Sequence, residues 1–359
     1  MTMRPYFAYG SNLNARDWKS RTAPNSGLVP QERANLPDHK LVFNIFAHGR
    51  EGGVLNVAPS VGHVVEGYLF DLANDAAEAL RRKEGSNYEL RAVIVLGDDG
   101  REIEAFTYVG HADAVQGFVP PHPSYLEVCR EGRRDLGCCT AMLEDAARGL
   151  EPAHVDGLFA YGTLMRHEER FGCLKPFQPH CIILAETRGA LLSHGAYPGL
   201  VLEGSAPVAG EFIRVSSVEQ AFQALDAIEG FNGFGATGNL FRRTLIDVDV
   251  GEGRVRRAWV YVTTRSGESI PSGCWRTHRD CMKPFRRAMV AAHAEGYPDF
   301  AEAVWSWSRR FAEETSAPSH YHLRALEDEV ALGRISERRL AMTSGRWSLV
   351  PGVPAADLH

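Results

Sequence analysis

Tyr6-Phe7-Ala8-Tyr9-Gly10-Ser11-Asn12-Leu13 and Leu158-Phe159-Ala160-Tyr161-Gly162-Thr163-Leu164-Met165 are two versions of one stretch. The shared core is Phe-Ala-Tyr-Gly followed by a hydroxyl residue, and the copies lie 152 residues apart. Solenoid and propeller repeats run at about 20–50 residues, so this spacing indicates a duplicated domain. In each copy an apolar run of strand character ends in Tyr-Gly-Ser/Thr. Glycine there permits a positive φ and a sharp turn, and the hydroxyl residue after it suits a turn or helix start. Consecutive backbone N–H groups in such a turn converge on an anion without any basic side chain.

A second pair of matching segments follows. Residues 74–85 read as a short helix with an Asn/Asp start and a glycine stop, and residues 216–230 read the same way. Val218, Ala221, Phe222, Leu225 and Ile228 give the second helix one apolar face. Both helices end in Glu-Gly, with Glu84 lying 77 residues after Phe7 and Glu229 lying 70 after Phe159. A helix C-terminus disfavours a carboxylate by about 0.3–1 kcal/mol when exposed, and burial adds to the upward pressure on its pKa. Two such glutamates, each downstream of an anion-competent turn, suggest carboxylates poised to move protons.

This order of motifs resembles the γ-glutamylcyclotransferase-like superfamily. Val64-Val65-Glu66-Gly67 and Pro207-Val208-Ala209-Gly210 look like its Val-x-Gly strand before the glutamate helix, and Tyr197-Pro198-Gly199-Leu200-Val201 looks like a segment of one branch. Tyr125, Leu126, Gly132 and Leu136 resemble the C-terminal helices of its shorter members. The resemblance covers residues 4–150 and 157–310. It implies an α+β protein: two tandem small β-barrels with surrounding helices and a cavity at one end. Sequential strands with helices gathered late in each unit favour the same class.

The chemistry the resemblance implies is ring closure. The α-amine of a γ-glutamyl group attacks its own γ-carbonyl, giving 5-oxoproline and releasing the attached amine. Glu84 and Glu229 are then the general base and acid. Tyr9, Gly10, Ser11, Asn12 and Leu13 bind substrate in the first copy, with Tyr88 and Tyr125. Tyr161, Gly162, Thr163 and Leu164 do so in the second. Beyond its glutamate the family has a strand beginning Tyr and Arg. The first copy has Tyr88 with Arg91, and the second has Phe241 with Arg242 after a Gly-rich loop. Asn12 and Tyr88 thus give way to Leu164 and Phe241. The first site is expected to carry most activity on simple γ-glutamyl compounds, and the second to hold a larger or more apolar leaving group. Two alternatives stay open: a binding or scaffolding module in one or both copies, and hydrolysis of a γ-glutamyl amide.

The expected domains are 1–150, 155–315 and a C-terminal extension at 316–359, with 151–154 as linker. Strands are expected at 6–9, 41–46, 64–71, 90–96 and 103–109, and again at 182–192, 209–215, 244–250 and 258–263. Between residues 28 and 59 short apolar runs alternate with Gly, Asn and Pro, as in short strands joined by loops. Gly97-Asp98-Asp99-Gly100 suits a hairpin turn, and Asn14 with Asp17 suits a helix cap. Helices are expected at 124–136, 139–150, 275–295, 299–313 and 323–334.

In 359 residues of formal charge −6, nothing points to nucleic acid or an anionic membrane, so the expected partner is a small γ-glutamyl molecule. Arg81-Arg82-Lys83 and Arg256-Arg257 read as solvated faces. No apolar run reaches ~18 residues and no signal-peptide pattern opens the chain, which makes a cytoplasmic location the expectation. Seven cysteines without Cys-x-x-Cys argue for reduced thiols. Cys274, His278 and Cys281 would share a helix face, but three ligands on consecutive turns rarely enclose one ion tetrahedrally. No metal or cofactor is expected, and the sequence leaves the oligomeric state and the leaving amine open.

Overall fold

The computed structural model describes residues 5–22, 27–73, 75–152, 155, 157–195, 197–278, 340–343 and 346–349. Met1–Gly267 form one compact unit and Glu268–His359 another. The second unit contains a helical turn at Trp275–His278 and a hairpin of Leu340–Thr343 against Arg346–Leu349. The helices expected at 299–313 and 323–334, most of the one expected at 275–295, and Cys281 lie outside the described residues.

The first unit holds two barrels. In the first, strands β1 (Tyr6–Ala8), β2 (Gly27–Ala47), β3 (Gly52–Ala73), β4 (Tyr88–Gly97) and β5 (Glu102–Gly110) close in the order β1-β3-β2-β4-β5. Helix α1 (Ala15–Arg21) follows β1, α2 (Ala76–Glu84) precedes β4, and α3 (Pro123–Asp135) with α4 (Ala141–Ala147) follow β5. The second copy repeats the plan with β6 (Gly157–Ala160), β7 (Cys181–Ser193), β8 (Pro198–Arg214), helix α5 (Val218–Glu229), β9 (Arg242–Asp249) and β10 (Val255–Val262). Its order β6-β8-β7-β9-β10 closes through β10 beside β6 and a single β7–β9 pairing, Glu186 with Asp249. Tandem barrels with surrounding helices are therefore the fold, as the motifs imply.

The Val-x-Gly motif has a packing reason. A Cβ on Gly67 would stand 2.3 Å from the Ala8 carbonyl oxygen and 2.6 Å from the Phe7 ring. At Gly210 the same contacts would be 2.5 Å to Ala160 and 2.6 Å to Phe159. In both copies the strand must cross over the Phe-Ala pair at a distance only glycine allows. That crossing fixes the strand whose end carries the Tyr-Gly turn.

Two local expectations change. Residues 27–73 do not form several short strands but a long hairpin, β2 with β3, whose register shifts fall between Pro30 and Arg33, Pro37 and His39, and Phe43 and Ile45. Bulges absorb the prolines that would otherwise interrupt the ladder. The helix expected over 139–150 is only Ala141–Ala147. The hairpin at 97–100 forms, with Gly100 N–H donating to Gly97 at 3.0 Å, and Asn14 caps α1 by accepting from the Arg16 and Asp17 amides.

The repeat suggests separate cores for residues 1–150 and 155–315, but the two barrels share a face. Trp259 Nε1 donates to the Gly62 carbonyl (2.8 Å), and Thr244 Oγ1 to that of Gly100 (2.6 Å). Arg243, fully buried, pairs with Asp38 of the first barrel. Its guanidinium carbon lies 4.9–5.3 Å from the ring centres of Trp259, Phe222, Phe231 and Phe234. Four rings and the carboxylates of Asp38 and Asp226 enclose this one cation, so removing it would leave buried charge uncompensated.

Candidate active sites

In the first barrel β1 delivers Tyr9 to the rim, and the chain turns at once into a single 3-10 turn over Ser11–Leu13. Tyr9 is buried, and its hydroxyl donates to the Tyr108 carbonyl at 2.6 Å. The Arg133 guanidinium, buried on α3, donates to the Tyr9 and Glu66 carbonyls (3.3 and 3.1 Å) and holds the exit of the strand. Gly10 does not use a positive φ: its angles are −119° and −139°. Gly162 is likewise outside the positive-φ set, and its need is space, since a Cβ there would stand 2.5 Å from Pro198. Within the turn, Leu13 N–H is committed to the Gly10 carbonyl, and the Leu13 side chain packs with Tyr6, Trp18 and Phe70. Leu13 is therefore a core residue rather than a substrate contact. The Gly10, Ser11 and Asn12 amides have no acceptor among the described residues.

Glu84 ends α2 opposite that turn, and the two enclose a cavity of about 290 Å³. Tyr6, Tyr9, Gly10, Ser11, Asn12, Tyr88, Tyr108 and Tyr125 line it. Asn12 Nδ2 donates to Glu84 Oε1 at 2.6 Å and to the Tyr6 hydroxyl at 2.8 Å. Tyr88 OH donates to the Leu55 carbonyl (2.6 Å), and Tyr125 OH accepts from the Leu55 amide (3.4 Å). Both phenols are thus pinned at the wall rather than pointed freely at a ligand.

The basic run before Glu84 is not all solvated. Arg81 and Arg82 are exposed, but the Lys83 side chain is only 8% exposed and donates to Asn12 Oδ1 and to Ser11 Oγ (3.2 Å). Its ammonium also lies 3.4 Å from Asp17 Oδ2, which Arg50 Nη2 approaches to 2.6 Å. Burial pushes the Asp17 carboxyl up, but Arg50, Lys83 and Arg21 together leave it below its usual value. Burial raises Glu84 and outweighs the opposing pull of Lys83, Asn12 and Arg50. Sequence reading missed Lys83, Asp17, Arg50, Tyr6 and Tyr108. Only Lys83, adjacent to Glu84, carried a local signal.

The second site repeats the frame with different walls. Tyr161 OH donates to the Tyr261 carbonyl at 2.6 Å, matching Tyr9 and Tyr108. Gly162, Thr163 and Leu164 form the turn, closed by Met165 N–H to the Gly162 carbonyl. Glu229, buried at the end of α5, faces them across a cavity of about 400 Å³. Phe159, Tyr197, Pro198 and Phe241 supply the apolar wall expected from the loss of Asn12 and Tyr88. Arg170, which the sequence reading did not single out, also lines it, with Nη1 3.9 Å from Glu229 Oε1. Burial raises the Glu229 pKa to about 7 against the lowering pull of Arg170. One turn earlier Asp226 accepts from Tyr261 OH (2.7 Å) and lies 3.5 Å from Arg243 Nε. The Asp226 pKa is raised by burial to about 6 despite Arg243 and Tyr261.

Two helix-end glutamates, Glu229 buried and Glu84 half-buried, each opposite a Tyr-Gly turn, are the shared plan. The family model for γ-glutamyl cyclotransferase, AIG2-like proteins matches residues 6–126 and again 158–277. The chain belongs to this family, in two tandem copies. Solved structures similar to it include a γ-glutamyl cyclotransferase, 26% identical over 42% of this chain and 89% of that one, with a TM-score of 0.36. YkqA from Bacillus subtilis is 18% identical over 74% of this chain and 86% of its own, at a TM-score of 0.29. A yeast γ-glutamyl cyclotransferase specific to glutathione is 14% identical over 41% and 96%, at a TM-score of 0.30. No curated protein matches. Among the described residues no helix is long and apolar enough to cross a membrane.

Proposed function

We propose that both barrels cyclise γ-glutamyl compounds, each releasing 5-oxoproline and a free amine by intramolecular acyl transfer. The observation that carries this reading is the duplicated pairing of a desolvated glutamate with an amide-lined turn, Glu84 with Gly10-Ser11-Asn12 and Glu229 with Gly162-Thr163-Leu164. The turn amides take the substrate α-carboxylate or the developing oxyanion, and the cavity bends the γ-glutamyl chain so that its amine reaches its own γ-carbonyl. The ionised glutamate accepts a proton from the substrate ammonium. The amine attacks, and the carboxyl passes that proton to the departing nitrogen as the tetrahedral centre collapses; the freed carboxylate then takes the second proton from the ring nitrogen and hands it to the released amine, which leaves as an ammonium. A carboxylate raised toward the working pH suits both halves of that relay.

The direct test is 5-oxoproline release by the purified chain from a panel of γ-glutamyl amides; none from any member would leave a binding module as the better reading. The pH dependence is a second check. The base must be ionised, so second-site turnover, read in a Glu84→Gln chain, should be small below pH 7 and rise through an apparent pKa of about 7. A rate already half-maximal near pH 4.5, the ordinary value of the group, would remove a raised Glu229 from that role.

A further inference from the structure

The two sites differ most in where their positive charge stands. In the first, Lys83 is buried and committed to Asp17, Asn12 and Ser11, behind the turn rather than in front of a ligand. In the second, the Arg170 side chain is 42% exposed at the cavity wall and stands 3.9 Å from Glu229, beyond hydrogen-bonding distance. Its backbone is tied to the turn that would take the substrate, Arg170 N–H donating to the Thr163 carbonyl at 2.8 Å, which places the side chain at the rim of that cavity. A cation at that point cannot serve the substrate ammonium, which belongs beside Glu229. It suits an acid. The turn amides are assigned to one carboxylate, and Arg170 lines the same cavity from its exposed side, where a second would lie.

We infer that Arg170 receives a carboxylate on the leaving group, making the second barrel selective for γ-glutamyl amino acids over γ-glutamyl amines. The guanidinium fork matches a carboxylate through two parallel hydrogen bonds. Tyr197 and Phe241, whose ring centres lie 5.9 Å apart, flank the space the leaving group's apolar part would fill. The inference deepens the cyclisation reading and rests on it for the identity of the substrate.

Two probes isolate the charge: γ-glutamylalanine and its neutral isostere γ-glutamylalaninamide, assayed in a Glu84→Gln chain at a pH well above 7 so that Glu229 is ionised. The acid should be favoured by roughly tenfold or more in kcat/KM, the scale of one charge-assisted hydrogen-bonded pair. Arg170→Met should erase that preference mainly through KM for the acid, and Arg170→Lys should restore part of it. A preference that survives Arg170→Met overturns the inference. So does an equal loss for both probes, which would give Arg170 the α-carboxylate instead. If neither probe is turned over, the cyclisation reading of the second barrel fails and binding decides the rest. Glutarylalanine and glutarylalaninamide lack the attacking amine. Arg170→Met should weaken calorimetric binding of the first and not the second, and unchanged binding of both would sink the inference on its own.

Discussion

A chain carrying both Glu84→Gln and Glu229→Gln should form 5-oxoproline at least about 10²-fold more slowly than the parent, within the about 10²–10⁴-fold range of a general acid–base group. Glutamine keeps the size of the side chain and its place at the helix end, so circular dichroism and the thermal midpoint should stay near parental. The burial that raises both carboxyls disfavours their charge, and a neutral amide avoids that cost; a small gain in stability at neutral pH would fit. The sign is the one expected for a raised carboxyl. Stability linked to Glu229 is full below the ordinary value of 4.5 and is lost as pH rises through about 7. Parental turnover in the double variant would end the carboxylate mechanism. Of the single variants, Glu84→Gln should take the larger share of activity on γ-glutamyl amines lacking a leaving-group carboxylate, because Asn12 and the Tyr6 hydroxyl give that site hydrogen-bonding groups where the second has Leu164 and Leu158.

The second large effect is structural. Arg243→Met should cost about 3–5 kcal/mol of unfolding free energy, the scale for breaking a buried ion pair from one side. The methionine fills much of the space among Phe222, Phe231, Phe234 and Trp259 but leaves Asp38 and Asp226 without their cation. Asp38 Oδ1 also accepts from Gly62 N–H (2.8 Å), and Gly62, at a φ of 81°, sits so close to Val218 and Phe222 that a Cβ would approach them to 2.7 and 2.9 Å. Loss of the cation therefore leaves uncompensated the carboxylate that also holds this close-packed glycine. Urea denaturation of parent and variant reads the difference. A change below about 1 kcal/mol, ordinary for a surface site, would mean that the joint contributes little.

The parts visible in the sequence were those whose physics is local. Tyr-Gly-hydroxyl and Glu-Gly are short, each dictated by a turn or a helix end, and repetition turned two weak signals into a firm one. Val-x-Gly was legible for the same reason, although the clash it avoids with Phe7 and Phe159 needs coordinates to see. What hid was tertiary. Pro30, Pro37 and Pro59 read as breaks, yet β2 and β3 carry them in one long hairpin. Lys83 sat in a run of three basic residues whose first two members are solvated, and only its place beside Glu84 sets the third apart. Arg170 lies in a segment with no strand or helix period. Arg243 meets Asp38 across 205 residues, a pairing no local pattern encodes.

The joint between the barrels also has a symmetry, and it is head-to-tail. By strand register Leu90, opposite Tyr108, is the first copy's counterpart of Arg243, opposite Tyr261. Arg81, three residues before Glu84, is likewise the counterpart of Asp226. Leu90 is 57% exposed and Arg243 is fully buried, so the face that the second barrel presses against its neighbour is left to water in the first. Contacts of this heterologous kind do not close on themselves: identical copies would each offer a free face to the next, and growth would continue. The first copy has leucine in place of the cation and arginine in place of the carboxylate beside it, so it lacks the pair that meets Asp38. The two barrels are therefore not interchangeable. A tandem of two first barrels would set Leu90 and Arg81 where Asp38 requires Arg243.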